Sequence, residues 1–127
     1  MNNFKENLIV SFFFITALWG CNEGYSALKG DCYYQKDLQF LTALIENSQI
    51  GRNSPPVELT PRGLGWQLWE NGRLVEFCSS TSTNTHCKMP YALSGNLPVE
   101  IGYTVKLIKI SLESNNLTGL IPVEIGN

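Results

Sequence analysis

Four cysteines (Cys21, Cys32, Cys78 and Cys87) and the single histidine, His86, are the residues in this sequence best equipped for chemistry. Together they suggest a zinc site, a nucleophile with its base, or disulfides. Cys32, Cys78, His86 and Cys87 supply the donor number of a tetrahedral zinc site. Adjacent His86 and Cys87 are poor ligand spacing, however, and the thiols of an exported chain oxidise. A Cys87–His86 dyad lacks the third orienting group and the walled site that catalysis needs. No glycine-rich phosphate loop and no G-x-S-x-G occurs. The expectation is a protein without catalytic residues, metal or cofactor, in which the cysteines serve as staples.

The rest of the composition agrees. A length of 127 residues allows one domain, two at most. The chain is 43% hydrophobic with a net charge of −2, and no basic run marks a nucleic-acid partner. From Leu8 to Trp19 runs an apolar stretch of 12 residues. That is too short for a spanning helix, which needs roughly 20, and fits the core of a secretory signal over 1–20. The chain is therefore expected to be exported, to the cell envelope, the cell surface or the medium.

"LWGC" at 18–21 resembles a bacterial lipobox: Leu18, Gly20 and Cys21 match, and Trp19 departs from the usual small residue. The resemblance implies a lipidated Cys21, with 21–34 as a polar tether. The alternative is ordinary cleavage near Gly20. With Cys21 lipidated, only one disulfide can form within the chain. Without lipidation there are two, with three possible connectivities. The close pair Cys78 and Cys87 is the favoured bridge, stapling the Ser/Thr-rich segment between them.

The elements that must position these residues come next. "KDLQFLTALIENS" puts Leu38, Leu41 and Ile45 on one face, widened by Phe40 and Leu44, which predicts a helix over 36–48. Asp37 falls in its first turn, where a carboxylate suits the helix dipole. Residues 51–63, rich in Pro and Gly, read as a loop. Asn71-Gly72 can close a hairpin between "WQLW" and "RLVEF". Trp66 and Trp69, in a Trp-rich segment over 65–70, read as core. These pieces make a capping region over 35–72.

The most regular feature is a repeat. "LSGNLPVEIG" at 93–102 returns as "LTGLIPVEIG" at 117–126, identical at seven of ten positions and 24 residues on. Residues 107–126 follow L-x-x-I-x-L-x-x-N-x-L-x-G-x-I-P-x-x-I-G. This resembles the 24-residue leucine-rich repeat of plant receptors and exported bacterial proteins, closest in style to bacterial secreted and lipoprotein members. The resemblance implies an α/β fold. It would be a leucine-rich repeat solenoid with a short parallel β-sheet on its concave face, a helical amino-terminal cap, about two repeats over 73–127 and no carboxy-terminal cap. Leu107, Ile110, Leu112, Leu117, Ile121 and Ile125 would point inward. Asn115 would turn the chain and bond neighbouring backbone, Gly119 would permit a tight bend and Pro122 would fix φ. The first unit carries about nine extra residues, since Leu74 to Leu93 is 19 against 10 from Leu107 to Leu117. The excess matches the Cys78–Cys87 spacing, which suggests an inserted loop over 78–87.

The resemblance also implies a function: a non-enzymatic extracytoplasmic module, part of a longer array, that binds a protein or glycan on its concave face. Lys109, Ser111 and Glu113 would alternate outward there to meet the ligand. The membrane would be touched only through a lipid anchor or a downstream span. The alternative is the ectodomain of a leucine-rich repeat receptor kinase, whose span and kinase lie further on. A solenoid needs about three or more repeats, so 127 residues alone are expected to be marginally stable or self-associating.

Overall fold

A computed structural model describes residues 20–126. Apart from Gly20, the expected signal over 1–20 lies outside the described residues. The chain begins with a hairpin: β1 (Tyr25–Leu28) pairs antiparallel with β2 (Asp31–Tyr34), in register Ser26 to Tyr33 and Leu28 to Asp31. Lys29 and Gly30 both take positive φ, +52° and +92°, as a two-residue loop matching the strand twist requires. A Cys21–Cys32 disulfide fastens its leading end. The segment read as a polar tether thus contains a stapled hairpin.

Helix α1 (Gln35–Asn47) follows directly. Its buried residues, Asp37, Phe40, Leu41, Leu44 and Ile45, recur at the 3.6-residue period of an amphipathic helix. The helix closes at Ser48, a buried serine whose hydroxyl donates to Leu44 O at 2.7 Å. Ser48 Oγ also accepts from the Ser94 amide at 2.9 Å, and Ser94 Oγ donates to Ser48 O at 3.2 Å. This polar clasp satisfies groups that burial would otherwise leave costly, and it ties the helix end to β5 (Ser94–Asn96). Gly95, in the middle of that strand, has φ +73°, and a Cβ there would come within 2.6 Å of Asn47 O. Only glycine fits so close to the helix end.

A short 3-10 turn at Pro61–Gly63 leads into β3 (Trp66–Glu70), which pairs antiparallel with β4 (Arg73–Cys78). Asn71 and Gly72, at φ +52° and +76°, make the turn. The register slips between Leu68 and Trp69, leaving Val75 as an extra residue on β4. Without the bulge, Leu74 and Phe77 would face opposite sides; with it both reach the core, at 0% and 1% exposure. Strand β6 (Lys109–Ser111) adds parallel to β4, and β7 (Asn116–Thr118) pairs parallel with β5. The core gathers Phe40, Leu41 and Leu44 from the helix with Leu64, Leu74, Phe77 and Leu93 from the strands and loops. Phe40 and Phe77 meet edge to face at 6.2 Å.

This architecture corrects the solenoid expected from the repeat. Among the described residues there is one α-helix and three short sheets, one of them antiparallel, one mixed and one parallel. The helix is not a cap on a stack of coils. It packs into the same core as the mixed sheet. The two decapeptides do not stack at their 24-residue period either: β5 meets β7 with Ser94 opposite Asn116, 22 residues on. Nor are the expected inward residues all inward. Leu107, Ile110, Leu112 and Leu117 are half-buried against the core, but Ile121 is 70% exposed and Ile125 48%.

Candidate binding face

Register decides which side chains the mixed sheet turns outward. Across β3, β4 and β6, Gln67, Phe77 and Ile110 lie side by side, and Phe77 and Ile110 pack in the core. The rows on either side must therefore point away from it. One row is Leu68, Glu76 and Lys109; the other is Trp66, Cys78 and Ser111. Trp66 and Leu68 are 36% and 37% exposed. Trp66 is thus not the core residue its sequence context suggested, while Trp69 is half-buried. The outward face presents an aromatic, an aliphatic and a charge of each sign, with Glu76 and Lys109 as neighbours.

The loop between Cys78 and Cys87 borders this face. The structure joins the two cysteines, and strand-like contacts brace the base, with Met89 N donating to Ser80 O at 2.7 Å. His86 stands edge-on to Trp66 at 5.0 Å. Thr81 donates through its hydroxyl to Ser114 O, fastening the loop to the turn after β6. Of the residues expected to meet a ligand, Lys109 and Ser111 lie on the outward rows, with Lys109 exposed and Ser111 half-buried. Glu113 is exposed but sits beyond the end of β6.

Asn115 organises the turn behind it. Its Oδ1 accepts from the Leu93 amide at 2.8 Å, and its Nδ2 donates to Ser79 O at 2.7 Å and Leu112 O at 3.0 Å. It therefore links the ends of β4 and β6, which share a sheet, to the start of β5, which belongs to another. Asn115→Asp keeps the acceptor but aims a carboxylate at three carbonyl oxygens, those of Ser79, Leu112 and Glu113. We expect it to cost about 2 kcal/mol, at least as much as Asn115→Ala. Urea denaturation of the two variants checks this, and an aspartate variant as stable as the parent would refute the assignment. Gly119 carries φ +80° beside the Asn96 side chain, and Pro122 is half-buried.

The structure pairs Cys21 with Cys32, the arrangement expected without lipidation. The cysteines considered for zinc are likewise all in disulfides, and no group of three or more His, Cys, Asp or Glu among the described residues is placed to hold a metal. Two disulfides fit an oxidising, extracytoplasmic compartment. No helix among the described residues is long and apolar enough to cross a membrane.

Sequence reasoning missed the pairing beneath the sheet. Asp37, fully buried, accepts from Arg73 Nε at 2.8 Å and Nη2 at 3.2 Å, and from the Leu74 amide at 2.9 Å. The hydrogen bonds it donates to Asp37 hold the Arg73 guanidinium above its ordinary range, against the opposing effect of burial. An acid in the first helical turn and an arginine opening a strand were the only signal, and their 36-residue separation hid it.

Compared with protein families, curated proteins and solved structures, the chain matches none of them.

Proposed function

We propose that this chain is a non-enzymatic, extracytoplasmic interaction module that binds a protein through the outward face of β3, β4 and β6. The observation that carries this reading is the pair of rows, Leu68–Glu76–Lys109 and Trp66–Cys78–Ser111, in which Cys78 is buried but an aromatic and an aliphatic side chain are each more than a third exposed beside a Glu–Lys pair. Aromatic anchors ringed by polar groups suit a protein partner. The braced Cys78–Cys87 loop and the exposed Glu113 widen the face toward the roughly 800 Å² per side that a stable complex needs.

The test compares immobilised parent protein with Leu68→Glu and Lys109→Glu for capture of partners from extracellular material. Both variants are expected to weaken capture at least about tenfold, with thermal unfolding unchanged. Glu46→Gln, on the exposed side of α1, is expected to leave it intact. Undiminished capture by both face variants would sink the proposal.

A further inference from the structure

A concave surface lies elsewhere and involves none of these residues. A groove of about 730 Å³ separates the β1–β2 hairpin and α1 from the Pro61–Gly63 turn, within the ~300–1,000 Å³ typical of ligand pockets. One wall is a face of the hairpin. The register pairs Ser26 with Tyr33 and Leu28 with Asp31, so these four side chains stand on one side. Arg62 rises from the opposite wall and is fixed in place. Its guanidinium lies 4.6 Å from the centre of the Tyr33 ring and 5.6 Å from that of Trp69. It donates to Tyr33 Oη at 3.2 Å and to Gln67 Oε1 at 3.0 Å, while Trp69 Nε1 donates to the same Gln67 oxygen at 2.8 Å. Those two bonds occupy two of the five N–H donors a guanidinium carries.

The lining is chemically mixed in a particular way. Lys29 and Arg62 outnumber Asp31, so the groove is net cationic in a chain of net charge −2. Leu28, Leu38 and the Tyr33 ring give it apolar surface, and the hydroxyls of Ser26 and Thr60 add polar contacts. A bare inorganic anion would leave the apolar surface and most of the volume unused. An apolar ligand would strand the charges. An extended peptide finds little to bind, because the hairpin offers its face here, not a row of unpaired backbone groups. A sugar chain bearing carboxylates uses every part, since its C–H faces stack on aromatic rings, its hydroxyls bond Ser, Thr and Asp, and its carboxylates pair with Arg and Lys.

We infer that this groove binds a short acidic oligosaccharide, with a uronate carboxylate on Arg62 and Lys29 and a sugar ring against Tyr33. The Cys21–Cys32 staple and the stacked Arg62 hold the two walls ready, which lowers the ordering cost of binding. The site shares no residue with the outward sheet face, so either assignment can fail alone.

The test titrates the disulfide-intact protein with a trimer of galacturonic acid, followed by calorimetry and by tryptophan fluorescence, since Trp69 lies beside Arg62. Saturable binding that weakens with salt is expected, and the methyl-esterified trimer should bind about tenfold more weakly or worse. Arg62→Gln and Lys29→Asn should each weaken binding about tenfold at unchanged melting temperature. Asparagine suits the positive φ at position 29, so that variant decides the matter if Arg62→Gln fails to fold. Absent saturation, equal binding of the ester, equal binding of triglutamate or inorganic phosphate, or indifference to both substitutions would each overturn the inference.

Discussion

Arg73→Leu is expected to destabilise the protein by about 3–5 kcal/mol, a large part of the margin of a domain this size. The substitution leaves the Asp37 carboxylate at 0% exposure with the Leu74 amide as its remaining partner. It also removes the cation that lies 4.0 Å from the centre of the Tyr34 ring. Asp37→Asn keeps an oxygen for Leu74 and should cost less, about 2 kcal/mol. Replacing both residues by leucine should recover part of the loss, because no buried charge is then left alone. Urea midpoints of the three variants form the check, and an Arg73→Leu cost below about 1 kcal/mol would show that the pair is solvated rather than buried. The sign with pH follows from Arg73. Its folded-state value lies above the ordinary arginine range, so its share of the stability is complete below that range and is lost only as pH rises through the raised value. Near neutrality this pair gives no arginine-linked slope.

Removing the second disulfide should cost nearly as much. Cys78→Ala with Cys87→Ala frees a loop closed over nine residues, worth about 3 kcal/mol in chain entropy. It also takes two buried sulfurs from the packing, since Cys78 and Cys87 are 7% and 0% exposed. Cys21→Ala with Cys32→Ala opens a loop of similar length, eleven residues, but both of those cysteines are only half-buried. The Cys78/Cys87 variant should therefore melt lower than the Cys21/Cys32 variant. It should also lose the contact of His86 with Trp66, visible as a change in tryptophan fluorescence in the folded state. A reversed order of melting would refute the argument from burial.

The helix and the β3–β4 hairpin were legible because each announces itself locally, one by its apolar period and the other by Asn71-Gly72. The β1–β2 hairpin was not. Its strands are four residues each, too short for a period of two to stand out, and Lys29-Gly30 is a weak turn signal. The repeat misled for a physical reason. Its two copies do share local backbone: Gly95 and Gly119 both have positive φ, and a 3-10 turn follows both Pro98 and Pro122. Local conformation does not dictate how copies meet, and the observed register differs from the period by two residues. Of the candidate site, Lys109 and Ser111 were visible from strand alternation. Trp66 and Leu68 were not, because which side of β3 faces out depends on its bulged pairing with β4.

The spacing of the joins also sets the order in which they can form. The helix and both hairpins need only near neighbours and can appear in microseconds. The Asp37–Arg73 pair spans 36 residues, the Ser48–Ser94 clasp 46, and β4 with β6 pairs at a distance of 33. Those joins must first close long loops, so the meeting of preformed pieces is expected to be the slow step of folding. Both disulfides span eleven residues or fewer, and each ties a hairpin to the chain next to it. Oxidation can therefore run ahead of assembly without locking distant parts of the chain into a wrong arrangement.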